Sequence, residues 1–178
     1  MPFVGVEPYI NVLNHESLYP GITKAAVITT VLTGNSIKFR ELKKRLDPGQ
    51  SITHLTMPNL ATIVERILQQ GYTAELRRDL TEELEPLRNL NLSHLILGCT
   101  HYPLIANLIE EFLGVKTISP GPGVARRVRD LLPSPTGTPS GSFSFLSTSS
   151  GVWREMTHGE LFELMKYGRT GDSFEHQA

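Results

Sequence analysis

The chain of 178 residues has one cysteine, one tryptophan and only 7% aromatic residues in all. A single cysteine excludes an intramolecular disulfide framework and a zinc site built from several thiolates, and it fits a reducing, cytoplasmic setting. Neither sign of charge is in excess, since 17 Lys+Arg against 18 Asp+Glu leave a net charge of −1. So balanced a chain has no field that would mark a dedicated nucleic-acid or membrane surface, and neither partner is expected. No apolar run reaches the ~18 residues of a membrane span. Met1-Pro2-Phe3-Val4-Gly5-Val6 lacks the basic start and apolar stretch of a signal peptide. His15, His54, His94, His158 and His176 are scattered without metal-ligand spacing, so no metal is expected. Ser119-Pro120-Gly121-Pro122-Gly123 has Arg126 where a dinucleotide loop needs its third glycine, so no nicotinamide cofactor is invoked.

What the chain does have is an alternation of apolar runs with helical patterns. That alternation predicts an α/β fold with a mainly parallel sheet flanked by helices. Strands are expected at Phe3–Val6, Ala25–Thr30, Ile52–Thr56, His94–Gly98 and Val115–Ile118. Helices are expected at Asn35–Leu46, with a basic outer face of Lys38, Arg40, Lys43, Lys44 and Arg45, and at Pro58–Gln70, Ala74–Leu87, Thr100–Leu113 and Val124–Leu132. Pro58 and Gly71 punctuate the second of these as start and stop. Asp79, Glu82, Glu83 and Glu85 read as a solvated helix face. Pro133–Ser142 reads as a linker, Phe143–Ser147 as a further strand, Glu160–Tyr167 as a last helix and Gly168–Ala178 as a frayed tail. The first strand begins almost at residue 1, which suits a piece of something longer.

The densest chemistry lies in Leu95-Ile96-Leu97-Gly98-Cys99-Thr100-His101-Tyr102-Pro103-Leu104. It reads as a buried strand, a tight turn and a helix start, with Thr100 as the N-cap. A thiol there sits on the edge where open α/β sheets bind ligands, beside a helix N-terminus that favours thiolate. A lone cysteine is usually a small buried hydrophobe, but here a hydroxyl and an imidazole follow it directly. A thiolate can attack a carbonyl or take a proton from carbon, and sequence does not choose between them. Glu65 stands on the Pro58 helix, where a glutamate is ordinarily solvated. Thr33 and Ser36 follow another strand, where hydroxyls cap a helix or contact an anion, capping being the commoner use.

Gly98-Cys99-Thr100-His101-Tyr102-Pro103-Leu104 closely resembles the second catalytic-cysteine motif of glutamate racemases, in the aspartate/glutamate racemase superfamily. Other segments resemble the family in the same order. Val4-Gly5-Val6-Glu7-Pro8 looks like the strand opening the second lobe. Val27-Ile28-Thr29-Thr30 through Thr33 and Ser36 resembles an Ala-Thr-x-Gly-Thr-x-x-Ser turn. Met57-Pro58 through Val64-Glu65 resembles a Cys-Pro…Val-Glu segment, with Met57 in place of cysteine. Ile118-Ser119-Pro120-Gly121 resembles Ile-Asp-Ser-Gly.

The resemblance implies a flavodoxin-like or Rossmann-like racemase lobe in a truncated two-lobe architecture. Residues 1–116 would be the second lobe, 117–168 the return segment that completes the first lobe, and 169–178 a disordered tail. It implies cofactor-independent interconversion of L- and D-glutamate for peptidoglycan, with two thiols on opposite faces of the α-carbon. Cys99 would be one thiol, His101 and Glu65 would assist it, and Thr100, His101, Thr33 and Ser36 would hold the substrate. The Asp-Ser-Gly-x-Gly-Gly and Cys-Asn-Thr-Ala segments of the first lobe do not occur, nor does a second cysteine. The opposite wall would then come from a homodimer or a separate first-lobe partner. Two other readings stand beside this one: a binding or regulatory module without turnover, and single-thiol decarboxylation of the arylmalonate decarboxylase kind.

Overall fold

The computed structural model describes residues 3–8, 10–14, 19–132, 145–147, 154–157, 159–160, 163 and 166–168. Its centre is a four-stranded, wholly parallel sheet. The strands are β1 (Ala25–Thr29), β2 (Thr53–Thr56), β3 (His94–Leu97) and β4 (Lys116–Ile118), in spatial order β2-β1-β3-β4. β1 and β3 are buried along their whole length, as their short apolar runs require of strands covered on both faces. Their side chains alternate between two cores. Ala26, Ile28, Leu95 and Leu97 face one layer, and Ala25, Val27 and Ile96 face the other.

The helices divide accordingly. α1 (Val31–Asn35) and α2 (Ile37–Leu46) follow β1, and α2 covers the second core with Phe39 and Leu42. α3 (Leu60–Gln70), α4 (Ala74–Arg88) and α5 (Ala106–Leu113) cover the first. Leu60, Ile63, Val64 and Ile67 form one apolar stripe, and Leu76, Leu80, Leu84 and Leu87 another, both at helical spacing. Gly71 (φ 80°) ends α3 and Gly114 (φ 67°) ends α5, in backbone conformations that L side chains rarely adopt. Successive connections carry the chain from β1 out to β2 and back across to β3. The segment after β1 joins one helical layer and the segment after β3 joins the other. The carboxyl ends of β1 and β3 are therefore the switch point of the sheet, the edge where open α/β folds bind ligands.

Several expectations need correction. Phe3–Val6 forms no strand and Phe3 is 97% exposed. Gly5 and Pro8 break a run too short to pair. Instead Ile10 and Val12, on the 3-10 segment Ile10–Asn14, plug the second core. α6 (Gly121–Leu131) starts three residues before the expected Val124 and buries no residue. The strand expected near Phe143 is β5 (Phe145–Ser147), and it pairs antiparallel with an unforeseen β6 (Arg154–Met156). Of the expected last helix Glu160–Tyr167, Glu160 and Glu163 are helical, and Lys166 and Tyr167 form a turn. Gly168, expected to begin the tail, is buried and accepts a hydrogen bond from Asn107 Nδ2 at 2.8 Å. The linker 133–142 and the tail from 169 lie outside the described residues.

Candidate active site

Gly98 follows β3 at the switch point. Its N–H donates to the Ile28 carbonyl at 2.8 Å. A Cβ at this position would lie 2.6 Å from that same oxygen and 2.9 Å from Thr29 Cγ2, so the turn admits only glycine. Cys99 follows, half-buried, its side chain packed against the first core. Its Sγ is 3.8 Å from His101 Nδ1, and His101 Nε2 is 3.2 Å from Glu65 Oε1. Glu65 comes from α3, 36 positions earlier in the chain, so packing of α3 against this turn assembles the three groups.

Polarity follows from the geometry. With the Nε2 proton directed at Glu65, the neutral ring offers Nδ1 as acceptor toward the thiol. The arrangement is a carboxylate that orients an imidazole, which in turn faces a sulfur. It can pass a proton to or from the thiol, and it stabilises charge on either. The imidazole is 40% exposed and the carboxylate 56%, so both are open to solvent.

The expected helix Thr100–Leu113 begins six residues late, so no α-helix N-terminus stands beside Cys99. Tyr102–Ile105 is a 3-10 segment with i→i+3 bonds from Tyr102 N to Cys99 O and from Leu104 N to His101 O. α5 begins only at Ala106. Pro103 has no N–H to donate, which favours the tighter turn over a continuous α-helix. Thr100 is exposed and forms no cap, so the polar environment of the thiol is His101 rather than a helix dipole. Beneath the turn, Tyr102 is fully buried, and its hydroxyl has no hydrogen-bond partner among the described residues. Burial, then the charges of Cys99 and Glu83, push its phenol far above the usual tyrosine range.

After β1, Ser36 is occupied in capping α2, while Thr33 is held by Thr30, the N-cap of α1. Thr30 Oγ1 accepts from Thr33 N at 3.2 Å and donates to Thr33 Oγ1 at 3.0 Å. Ser36 Oγ donates to Thr33 O at 2.7 Å and accepts from Phe39 N at 3.1 Å, which starts α2. No hydrogen bond joins either residue to Cys99 among the described residues. Met57, at the end of β2, is buried in the first core.

The acidic residues of α4 are not simply solvated. Glu83 accepts from Asn59 N at 2.8 Å, Leu60 N at 3.1 Å and Asn59 Nδ2 at 3.1 Å, which caps α3 from outside. Asp79 and Glu75 bind Arg66 at 2.9 and 2.8 Å. Gly121 and Gly123 lie within α6 rather than in a phosphate-cradling loop. No group of three His, Cys, Asp or Glu among the described residues could hold a metal, and no helix there is long and apolar enough to cross a membrane.

The fold and site define a class: an open parallel α/β domain with a thiol, imidazole and carboxylate aligned at its switch point. No family model matches the chain. It is 30% identical over 130 residues to the glutamate racemase of Synechococcus sp., covering 72% of this chain and 48% of that protein. It is 33% identical over 133 residues to that of Corynebacterium glutamicum, covering 70% and 48%. A solved glutamate racemase isoform from Bacillus anthracis superposes with a TM-score of 0.59 at 31% identity, covering 74% of this chain and 48% of the other. The Escherichia coli glutamate racemase, solved with L-glutamate and an activator, superposes with a TM-score of 0.63 at 23% identity, over 74% and 49%, and supports the fold alone. The chain thus carries a partial glutamate racemase-like domain, and it spans about half the length of the curated relatives it matches.

Proposed function

We propose that this domain supplies one half of a glutamate racemase site, in which Cys99 moves the α-proton on one face of the substrate. The contiguous Glu65–His101–Cys99 array at the switch point carries this reading. Cys99 as thiolate removes the α-proton, the S–H bond forms as the C–H bond breaks, and the electron pair stays on the planar carbanion. His101 holds the thiol proton in reach through Nδ1, and Glu65 fixes the ring. The exposed Thr100 donates its hydroxyl to a substrate carboxylate with His101 beside it. Thr33 and Ser36 follow β1; the Thr33 hydroxyl accepts from Thr30 and keeps its own proton for substrate, whereas the Ser36 hydroxyl reaches substrate only by exchanging its capping bonds. The chemistry uses protein acids and bases alone, with no cofactor.

A single base cannot serve both faces of a planar carbanion, so full racemisation needs a second thiol. The 178 residues contain only Cys99. In this reading residues 1–116 form the lobe bearing Cys99, 117–168 form a return segment, and the opposing wall comes from a second copy or a separate first-lobe chain. The cell context is cytoplasmic supply of D-glutamate to peptidoglycan. The test is loss of the glutamate α-proton signal in D₂O, followed by ¹H NMR. Exchange that disappears in Cys99→Ala is expected, and exchange that survives the substitution would remove the thiol from the mechanism.

A further inference from the structure

The basic face of α2 takes no part in the site above. It borders a second cavity, on the other helical layer of the sheet from Cys99, with a volume of about 420 Å³. That volume falls within the ~300–1,000 Å³ range of small-molecule pockets. Half-buried His54 lines its floor, backed by Phe39, which is 4% exposed; their ring centroids are 4.6 Å apart and tilted by 49°. The His54 ring is fixed by Thr29 Oγ1, 2.9 Å from Nε2. Burial, then the nearby Lys43 charge, lowers the pKa of His54, so near neutral pH the floor is uncharged and aromatic.

Arg40, Lys43 and Lys44 stand on the rim, and none of them makes an ion pair among the described residues. The one carboxylate in the lining, Asp47, is 5% exposed and accepts from Ser51 N at 2.7 Å and Ile52 N at 3.0 Å. Cations in the last turn of α2 suit its dipole, but the dipole explains neither Arg40, a turn earlier, nor the cavity with its aromatic floor. Three free cations over an apolar floor complement a ligand that is flat at one end and anionic at the other.

We propose that this groove binds a planar heteroaromatic ring carrying a phosphate, a ligand of the nucleoside monophosphate class. The ring lies against His54, with Phe39 behind it, and the phosphate meets Arg40, Lys43 and Lys44. The test titrates AMP into the ¹⁵N-labelled full chain, with adenosine and inorganic phosphate as separate probes. Saturable shifts centred on Phe39 and His54 are expected, with AMP binding tighter than either fragment. Arg40→Glu and Lys43→Glu, on an exposed helix face, should each weaken AMP binding about tenfold, with shifts outside α2 unchanged. Lys44→Gln, a milder change, should weaken it in the same direction. Phosphate binding as tightly as AMP would overturn the role of the aromatic floor. Absence of saturable shifts with AMP, or unchanged affinity in all three variants, would overturn the site.

Discussion

Glu83→Ala removes the only side-chain cap of α3. Asn59, the N-cap residue itself, makes no capping bond with its own side chain. The Glu83 carboxylate serves instead, taking two backbone N–H groups and the Asn59 amide. Loss of an N-cap costs typically about 1 kcal/mol, and loss of a negative charge at a helix start a further ~0.3–1 kcal/mol. The donors at Asn59 are exposed and water replaces the acceptor there, whereas Leu60 N is part-buried, so the two costs together are a lower bound. The sum is about 1.3–2 kcal/mol. With m near ~2 kcal/mol per molar urea, the unfolding midpoint should fall by roughly 0.65–1 M at unchanged m. Glu82→Ala and Glu85→Ala, exposed on the same helix, should stay within about 0.5 kcal/mol of the parent. Glu83→Gln keeps an acceptor and should lose about half as much. A midpoint shift for Glu83→Ala no larger than that of Glu82→Ala would refute the capping argument. The consequence reaches the site, because Glu65 lies in the next turn of the helix that Glu83 secures.

Gly98→Ala sets a Cβ 2.6 Å from a carbonyl oxygen inside the sheet and should cost more than about 2 kcal/mol in urea unfolding, whereas Gly123→Ala meets nothing within 4 Å and should be neutral or stabilising. Leu84→Ala, fully buried in the first core, should cost about 2–5 kcal/mol. His54 has a folded pKa below its ordinary 6.5, so the unfolded state binds more protons between those two values. Its contribution to stability is complete above pH ~6.5 and is lost as pH falls toward the folded value. Melting temperature should therefore drop on acidification below that point, and His54→Gln should flatten this part of the profile. His101→Ala should slow alkylation of Cys99 by iodoacetamide severalfold at pH 7, with Glu65→Gln falling between it and the parent; equal rates in all three would separate the thiol from the imidazole.

The buried strands were legible because each carries a short apolar run, Ala25–Ile28 and Leu95–Leu97, and the helices α3 and α4 because their leucines and isoleucines keep helical spacing up to a glycine or a change of pattern. Phe3–Val6 carried the same apolar signature, but a central glycine and a following proline outweighed it. The turn after Cys99 was misread as a helix start because capping residues and a proline in a first turn look alike whether the turn is 3-10 or α. Contacts between distant residues left no local trace. Glu83 and Asn59 are 24 positions apart and His54 and Thr29 are 25, and nothing in the spacing of either pair announces a bond. The meeting of Glu65 with His101 was reachable only through the family resemblance, since a glutamate on an amphipathic helix is otherwise a solvated one.

The central claim is that Cys99 acts as a one-faced base on glutamate. It is tested most directly by incubating pure L- and pure D-glutamate separately with the chain in D₂O and resolving the products by chirality and mass. A single thiol that exchanges its proton with solvent returns deuterium to the face it came from. The account predicts deuterium at Cα in one enantiomer only, with configuration retained and the signal absent in Cys99→Ala. Exchange in both enantiomers, or in neither, would contradict it.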